Sequence, residues 1–304
     1  MRTIWLASYP KSGNTWFRML LANLASDSDT PADINELPRR GHIASSREPF
    51  DHVTLLDSGL LTDDEIDSLR PLVHAELAQG NLDDEDNIDT EAPPVHFIKT
   101  HDAYTRTVTG EPLLAGRLGA DGAILIVRDP RDVASSWANH QSCSLDDAIT
   151  FMNSNNAEMS GGRRDRIFNQ FRQILPGWSG YIESWLEQRD IPIHLVRYED
   201  MKADTAMSLA RALAFARYDV SLDAIKRAVR LADFTELQRQ ERAKGFREAP
   251  RAQRDGNFFR RGEAGAWREE LTPEQVARIE NEHAPMMRRL GYVPVTSGKR
   301  AISG

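Results

Sequence analysis

The chain has 304 residues, of which 40% are hydrophobic and 28% are charged, a composition typical of a globular protein. Lys and Arg number 38 against 46 Asp and Glu, and the net charge of -8 argues against general nucleic-acid binding. The one cysteine, Cys143, excludes an internal disulfide and fits a reducing compartment. No stretch is apolar enough for a signal peptide or a membrane span, so the sequence predicts a cytoplasmic protein without a membrane partner.

Short apolar runs alternate with helical patterns along the chain. Strands are predicted at 4–7, 95–101, 123–129 and 191–200, and helices at about 15–24, 131–140 and 207–216. Strands this apolar, separated by helices, are typical of a buried parallel sheet. The predicted fold class is therefore α/β, a parallel sheet flanked by helices in a single domain over 1–304.

Two long segments interrupt this alternation. Residues 27–94 are polar and acidic, with a helix-like patch at 62–79 and a charge run at 82–91 that predicts a solvated loop. Residues 141–178 contain a second loop around 161–164. Long insertions in α/β proteins form lids and substrate walls or remain plain surface. We interpret both segments as substrate-side insertions.

Each predicted strand ends in polar residues. These are Lys11 and Ser12 after the first strand, Lys99 and His101 at the second, Arg128 at the third, and Tyr198 and Glu199 at the fourth. In an open parallel sheet the carboxyl edge is where ligands bind. Four strand ends with polar groups therefore indicate a binding site, although one or two polar strand ends would be unremarkable.

The stretch YPKSGNTW at 9–16 has the form of an anion-binding loop before a helix. Backbone N–H groups and the helix dipole attract an oxyanion there, and Lys11 adds a full charge. The nucleotide-triphosphate loop G-x-x-x-x-G-K-[ST] is absent because the lysine precedes Gly13, and Arg128 stands where a magnesium-binding acid is expected. The loop predicts a phosphate site without magnesium, with a capped helix and a surface lysine as the alternative.

Two further patches add groups for a second phosphate. Arg128 and Ser136 are eight residues apart, at a strand end and inside the following helix, and offer a guanidinium fork and a hydroxyl. In FFRRGEAGAW, Arg260, Arg261 and the N–H of Gly262 form a cationic turn. Two separate phosphate sites describe a nucleotide that is phosphorylated at both ends.

With these patches the sequence resembles the cytosolic-type sulfotransferases, and among them the soluble bacterial members. Enzymes of this family use 3′-phosphoadenosine 5′-phosphosulfate (PAPS). The resemblance depends on five patches in the family's order: YPKSGNTW (9–16), KTH (99–101), VRDPRDVASSW (127–137), RYEDMKAD (197–204) and FFRRGEAGAWREELT (258–272). It implies a P-loop-like nucleotide-binding core, PAPS as co-substrate, and a small-molecule acceptor with a hydroxyl or an amine.

The resemblance also implies where the nucleotide binds. The 5′ end, where phosphate and sulfate join, is assigned to Lys11, Ser12, Gly13, Asn14 and Thr15, and the 3′-phosphate to Arg128, Ser136, Arg260, Arg261 and Gly262. The adenine side is assigned to Trp16, Tyr198 and Phe234. Trp16 and Phe234 have core packing as the alternative, and Ala232-Asp233 stands before Phe234 where the family often has hydroxyl residues.

For the chemistry, the resemblance implies His101 as the base that takes the acceptor's proton. Lys11 stabilises charge on the bridging oxygen, and Lys99, two residues from His101, assists the sulfuryl oxygens. Neither His140 nor His283 has metal-ligand spacing, so no metal is predicted. The family's dimer signature is not evident at 273–283, and no oligomeric state is inferred.

Two alternative functions stay open at this point. A P-loop kinase acting on a small metabolite would need a glycine-lysine-[Ser/Thr] loop and a magnesium-binding acid. A non-catalytic protein that binds a nucleotide bisphosphate would have no use for His101 and Lys11.

Overall fold

A computed structural model describes residues 1–26, 28–37, 42–79, 95–160, 170–249 and 257–296. The strands are β1 (Arg2–Ser8), β2 (Val95–Thr100), β3 (Gly122–Val127), β4 (Glu158–Met159), β5 (Gln173–Ile174) and β6 (Ile193–Arg197). The helices are α1 (Asn14–Ala25), α2 (Arg47–Thr54), α3 (Asp63–Ala78), α4 (Pro130–Gln141), α5 (Leu145–Met152), α6 (Gly177–Glu187), α7 (Tyr198–Ala203), α8 (Thr205–Ala216), α9 (Leu222–Leu231), α10 (Phe234–Lys244), α11 (Trp267–Glu270) and α12 (Pro273–Arg289).

The main sheet is parallel and has the order β2-β1-β3-β6, which confirms the predicted α/β class. Strand β1 pairs with β2 on one side and with β3 on the other. The strand order therefore reverses at β1, and the loops that follow β1 and β3 leave the same edge side by side. In open α/β sheets this switch point is where ligands bind.

Successive side chains of a strand point to opposite faces of the sheet, and both faces of this sheet are covered by a hydrophobic core. Trp5 of β1 and Leu125 of β3 face a core built with α4, α6 and α12. Leu6 and Ile124, one residue away on the same strands, face a second core built with α1, α8 and α9. A strand buried on both faces reads as a continuous apolar run, which is why β3 was visible in the sequence.

The predicted fourth strand is too long at its carboxyl end. It stops at Arg197, and Tyr198 begins helix α7 without an intervening loop. Glu199 and Asp200 stand in the first turn of that helix, where negative side chains are favoured by the helix dipole. Tyr198 is therefore placed by a helix and not by a strand end.

The two predicted insertions pack against each other. Phe50 of α2 meets Phe171 with ring centroids 4.9 Å apart, and both belong to a small core with Ile66, Val73 and Leu77 of α3. The helix-like patch at 62–79 is α3, which begins with a capping box between Thr62 and Glu65. The loops predicted at 82–91 and 161–164 lie outside the described residues.

Leu125 and its register partner Leu195 allow a matched test of the two-faced sheet. Leu125 is fully buried, whereas Leu195 on the edge strand is 38% exposed. We expect Leu125→Ala to lower the free energy of unfolding by about 2–5 kcal/mol, because it leaves a cavity in a close-packed core. Leu195→Ala should cost less than about 1 kcal/mol, and urea denaturation measures both. Equal losses would contradict the placement of β3 in the centre of the sheet.

Candidate active site

A single cavity of about 1960 Å³ opens at the carboxyl edge of the sheet. It is lined by every predicted site residue except Ser12, namely Lys11, Gly13, Asn14, Thr15, Trp16, Lys99, His101, Arg128, Ser136, Tyr198, Phe234, Arg260, Arg261 and Gly262. Residues from the whole length of the chain therefore meet in one place.

The turn between β1 and α1 holds its backbone in an unusual conformation. Lys11 and Gly13 both have positive φ angles, 68° and 107°. A Cβ on Gly13 would stand 2.7 Å from the Tyr198 ring, so only glycine fits there. The N-cap residue of α1 is Gly13, which has no side chain with which to cap the helix, and no acidic residue stands in the first turn. The N–H groups and the positive dipole of α1 are thus left available for an anion.

Ser12 and Asn14 have partly structural roles in this turn. The Asn14 amide donates to the Leu6 carbonyl at 2.9 Å and to the Ser8 hydroxyl at 3.2 Å, which ties α1 to the end of β1. Its Oδ1 and the Ser12 hydroxyl are buried and have no hydrogen-bond partner among the described residues. Buried polar atoms without partners are costly, and here both lie at the start of a helix that favours anions.

The Lys11 ammonium lies 3.6 Å from the centroid of the Phe258 ring, a contact that the sequence did not indicate. Burial, followed by the charges of Arg128 and Lys99, lowers the pKa of Lys11 to about 7. The folded protein therefore holds this lysine only partly charged at neutral pH. A bound anion would restore the charge by favouring the ammonium form.

The ring of His101 is oriented by the end of strand β1. Its Nδ1 lies 2.7 Å from the carbonyl oxygen of Ser8. Because a carbonyl oxygen only accepts hydrogen bonds, Nδ1 carries the proton and Nε2 carries the lone pair. Burial, followed by the charge of Lys99, lowers the pKa of His101 to about 3, so the ring is neutral and its Nε2 keeps its lone pair. A neutral histidine with a fixed tautomer is what a general base requires.

Lys99 projects toward the same cavity and pairs with Glu248, another residue that the sequence analysis missed. Its ammonium is 3.5 Å from the Glu248 carboxylate, which also binds the Arg18 guanidinium at 2.9 Å. Glu248 follows α10 and is far from Lys99 in sequence, so no spacing pattern points to it.

Arg128 follows β3, the parallel neighbour of β1, and therefore lies beside the turn that follows β1. Its guanidinium donates to the carbonyls of Lys11 at 3.3 Å and Glu263 at 2.8 Å, and stacks over the Tyr198 ring at 4.4 Å. Its Nε is buried and has no hydrogen-bond partner in the part of the chain that the structure describes. Ser136 lies two turns into α4 and lines the same cavity.

The cationic turn at 258–262 reaches the site because Asp132 anchors the residues that follow it. The Asp132 carboxylate accepts from the backbone N–H groups of Gly265 at 2.7 Å and Trp267 at 2.9 Å. Arg260 makes two hydrogen bonds to Glu270, and Arg261 pairs with Glu269. These two arginines line the cavity with part of their charge already neutralised.

Three aromatic rings form one wall of the cavity. Trp16 meets Tyr198 edge to face at 5.8 Å, and its indole N–H donates to the Ala232 carbonyl at 3.0 Å. Phe234, the first residue of α10, packs against Gly262, where a Cβ would come within 2.6 Å of the ring. The Lys202 ammonium lies over both Trp16 and Phe234. Trp16 is part of the core as well as part of this wall, so packing and ligand contact are compatible.

The rest of the cavity is bounded by the described parts of 27–94 and 141–178. Leu55 and Leu56 stand at one side, and Trp137 stacks on Phe151 at 5.0 Å on the other. His140 is one helical turn beyond Ser136 on α4 and has a buried Nδ1 without a hydrogen-bond partner. Burial and the charge of Lys11 lower the pKa of His140 to about 2, so it is a second neutral histidine near the site.

In the described part of the chain, no group of three or more His, Cys, Asp or Glu side chains is arranged to hold a metal ion. None of the described helices is both long enough and apolar enough to cross a membrane.

Comparisons with known proteins point to one family. The family model of the sulfotransferase domain matches residues 123–291. Cytosolic sulfotransferase 17 of Arabidopsis thaliana is 24% identical over 306 residues, covering 95% of this chain and 75% of the relative. The amine sulfotransferase of Oryctolagus cuniculus is 26% identical over 168 residues, covering 52% and 51%. A mouse sulfotransferase crystallised with PAP shares the fold at 18% identity, with a TM-score of 0.54 over 94% of this chain and 85% of that one.

The low pKa of Lys11 predicts that anion binding is coupled to proton uptake. At about pH 8 the free lysine is mostly neutral, and a bound phosphate raises its pKa again. We expect titration with adenosine 3′,5′-bisphosphate (PAP) to take up close to one proton, measured by calorimetry in buffers of different ionisation enthalpy. Lys11→Met should bind without this uptake, and the exposed control His52→Ala should retain it. Equal uptake by Lys11→Met would contradict the assignment.

The same shift has a consequence for stability. An unfolded lysine titrates near its ordinary pKa of 10.5, so between about pH 7 and 10.5 the unfolded chain binds the additional proton. The free energy of unfolding contributed by Lys11 should therefore rise with pH across this window. In Lys11→Met this part of the rise should be absent from urea-denaturation midpoints.

Proposed function

The chain belongs to the sulfotransferase family, and we propose the roles of the side chains with which it transfers a sulfuryl group from PAPS to a small-molecule acceptor. The family membership makes it an enzyme and favours sulfuryl transfer over the kinase and the non-catalytic alternatives. The observation that carries the proposal is the meeting of Lys11, His101 and Arg128 in one cavity at the switch point of the sheet.

The residues at the β1 turn fit the 5′ end of the nucleotide. The uncapped start of α1, the unpartnered Ser12 hydroxyl and the positive φ of Gly13 all suit an oxyanion bound close to the backbone. The side chain of Thr15, also in the first turn of α1, lines the cavity. The Asn14 amide is used inside the protein, so Asn14 contributes its backbone N–H and the turn that it holds together.

The residues beyond β3 fit the 3′-phosphate. Arg128 has an unpartnered Nε, and Ser136 lines the cavity on the helix that follows it. We assign the phosphate chiefly to these two residues and to the N–H of Gly262. Arg260 and Arg261 add positive charge that Glu269 and Glu270 partly offset. The wall of Trp16, Tyr198 and Phe234 takes the adenine, since every purine offers a face for stacking.

The chemical roles follow from charge and tautomer. The Nε2 of His101 accepts the proton of the acceptor's hydroxyl or amine, because Nδ1–H is committed to the Ser8 carbonyl. Lys11, once charged, stabilises the negative charge that grows on the leaving oxygen, together with the N–H groups of α1. The Lys99 ammonium offsets part of the negative charge on the sulfuryl oxygens. Positioning and charge stabilisation dominate in such transfers, as they do in phosphoryl transfer.

The acceptor binds between the described parts of 27–94 and 141–178. Support comes from the cavity lining: Leu55, Leu56, Phe151 and Met159 of these segments add apolar surface to it, together with Trp137 of α4. The rabbit relative is named for amine acceptors, which agrees with a hydroxyl or amine acceptor here. The names of the Arabidopsis relatives support a cytosolic location.

The assignment of the 3′-phosphate predicts nucleotide discrimination. PAP should raise the melting temperature and bind about ten to a hundred times more tightly than AMP, because AMP lacks the group that Arg128 and Ser136 contact. Arg128→Gln should reduce this ratio to near one, while Arg211→Gln, an exposed arginine on α8, should preserve it. Isothermal titration measures both affinities, and equal binding of PAP and AMP to the wild type would remove the assigned role.

The assignment of the base predicts a selective loss of rate. His101→Ala should lower turnover by roughly a hundredfold or more, since general bases contribute about that much. Its affinity for PAP should stay within about twofold of wild type, because no nucleotide contact is assigned to His101. Labelled PAPS and a panel of hydroxyl and amine acceptors provide the assay, with His52→Ala as the control. Wild-type turnover by His101→Ala would transfer the role to another group.

A further inference from the structure

We propose that the buried ion pair between Arg70 and Asp102 positions His101 for proton transfer. The proposal rests on the role assigned above to His101. Asp102 is the residue directly after His101, whereas Arg70 lies in the middle of α3. Neither side chain lines the cavity, so the pair acts through the backbone of the loop that carries the base.

The Asp102 carboxylate is completely buried and densely bonded. Arg70 donates to it through Nη2 at 2.5 Å and Nη1 at 3.2 Å. The backbone N–H of Ile174 donates to the same carboxylate at 3.3 Å, and the Thr100 hydroxyl does so at 3.4 Å. Charge-assisted bonds with two donors fix direction as well as distance.

The backbone of residues 100–103 is held on both sides of His101. The N–H of Asp102 donates to the Thr100 hydroxyl at 3.1 Å, and its carbonyl accepts from the Trp185 indole at 3.1 Å. The N–H of Ala103 donates to the Ile174 carbonyl at 2.8 Å. With the loop fixed in this way, the His101 ring meets the Ser8 carbonyl at 2.7 Å.

The pair also joins the two segments that bound the acceptor side. Arg70 donates to Asp67 at 3.2 Å, and Arg172 donates to Asp67 at 2.6 Å and to Asp64 at 2.7 Å. Asp64 and Asp67 belong to α3, while Arg172 precedes β5. Both segments therefore converge on the residue that follows the base.

Stabilisation of the fold does not by itself explain why this ion pair is buried. A buried ion pair must offset the desolvation of two charges, and well-packed apolar residues often replace such a pair without loss. Arg70 also leaves its Nε buried without a partner, and the neighbouring His74 is held neutral by burial and by the charge of Arg70, which lower its pKa. Apolar residues cannot supply directional hydrogen bonds, whereas a general base requires a fixed orientation toward its substrate.

The decisive variant is Arg70→Met/Asp102→Leu, which removes both charges together. We expect a melting temperature within a few degrees of wild type and PAP affinity within about twofold. With 4-nitrophenol as acceptor and saturating PAPS, the single-turnover rate should fall between about tenfold and a hundredfold, the size expected for a misplaced catalytic group.

A second readout does not depend on any acceptor. In protein labelled with ¹⁵N-histidine, the Nδ1–H of His101 bonded to Ser8 should give a downfield proton signal that is absent from His101→Ala. The double variant should lose or broaden this signal, and Arg70→Lys, which keeps the charge but not the fork, should retain a weakened one. This measurement also separates the two proposals, because it reports on positioning even if His101→Ala proves to be fully active.

A matched control pair stands elsewhere in the fold. Arg131 and Glu280 form an equally buried ion pair at 2.7 Å between α4 and α12. Arg131→Met/Glu280→Leu should leave the His101 signal unchanged. If Arg70→Met/Asp102→Leu folds and keeps both the signal and the wild-type rate, the pair is structural only. If that variant does not fold, an unchanged signal in Arg70→Lys and in Asp102→Asn would overturn the proposal equally.

Discussion

The parallel pairing of β1 with both β2 and β3 is the constraint on which the site depends. Parallel strands end at the same edge, so the groups that follow β1, β2 and β3 meet there although they lie far apart in sequence. The Ser8 carbonyl at the end of β1 is consequently within hydrogen-bond distance of His101, and the Lys11 carbonyl is within reach of Arg128. The contacts at the proposed base and the proposed anion site are thus products of the parallel strand pairing.

Several cationic side chains crowd this edge of the sheet and would repel one another. The protein reduces this repulsion in several ways. Lys11 is discharged in part by burial and rests on the Phe258 ring. Lys99 is balanced by Glu248, while Arg260 and Arg261 are balanced by Glu269 and Glu270. The free protein therefore avoids a strong repulsion among its cations, and an anionic nucleotide is expected to recover charge at Lys11 when it binds.

The acceptor side is built on a different principle from the nucleotide side. We assign the nucleotide groups to loops and helix starts attached directly to the sheet, whereas the proposed acceptor walls include α2, residues 55–59 and the described parts of 141–173. Phe50 of α2 packs with α3 and Phe171 in a separate small core. The Arg70–Asp102 pair links α3, which contributes to that core, to the residue that follows His101. Because the acceptor walls and the nucleotide groups lie on separate parts of the chain, the walls can change in sequence while the transfer chemistry stays the same.

The α/β class, the positions of β1, β2, β3 and α4, and the family were all predictable from the sequence, because apolar periodicity and short glycine-containing motifs are local properties. It also named a set of residues of which all but Ser12 line the cavity, through patches that each carry their own chemistry. The end of the fourth strand at Arg197, the partners Phe258 and Glu248, and the tautomer of His101 were decided by tertiary structure. Each of these depends on contacts between residues distant in sequence, and no local pattern records which distant groups will become neighbours.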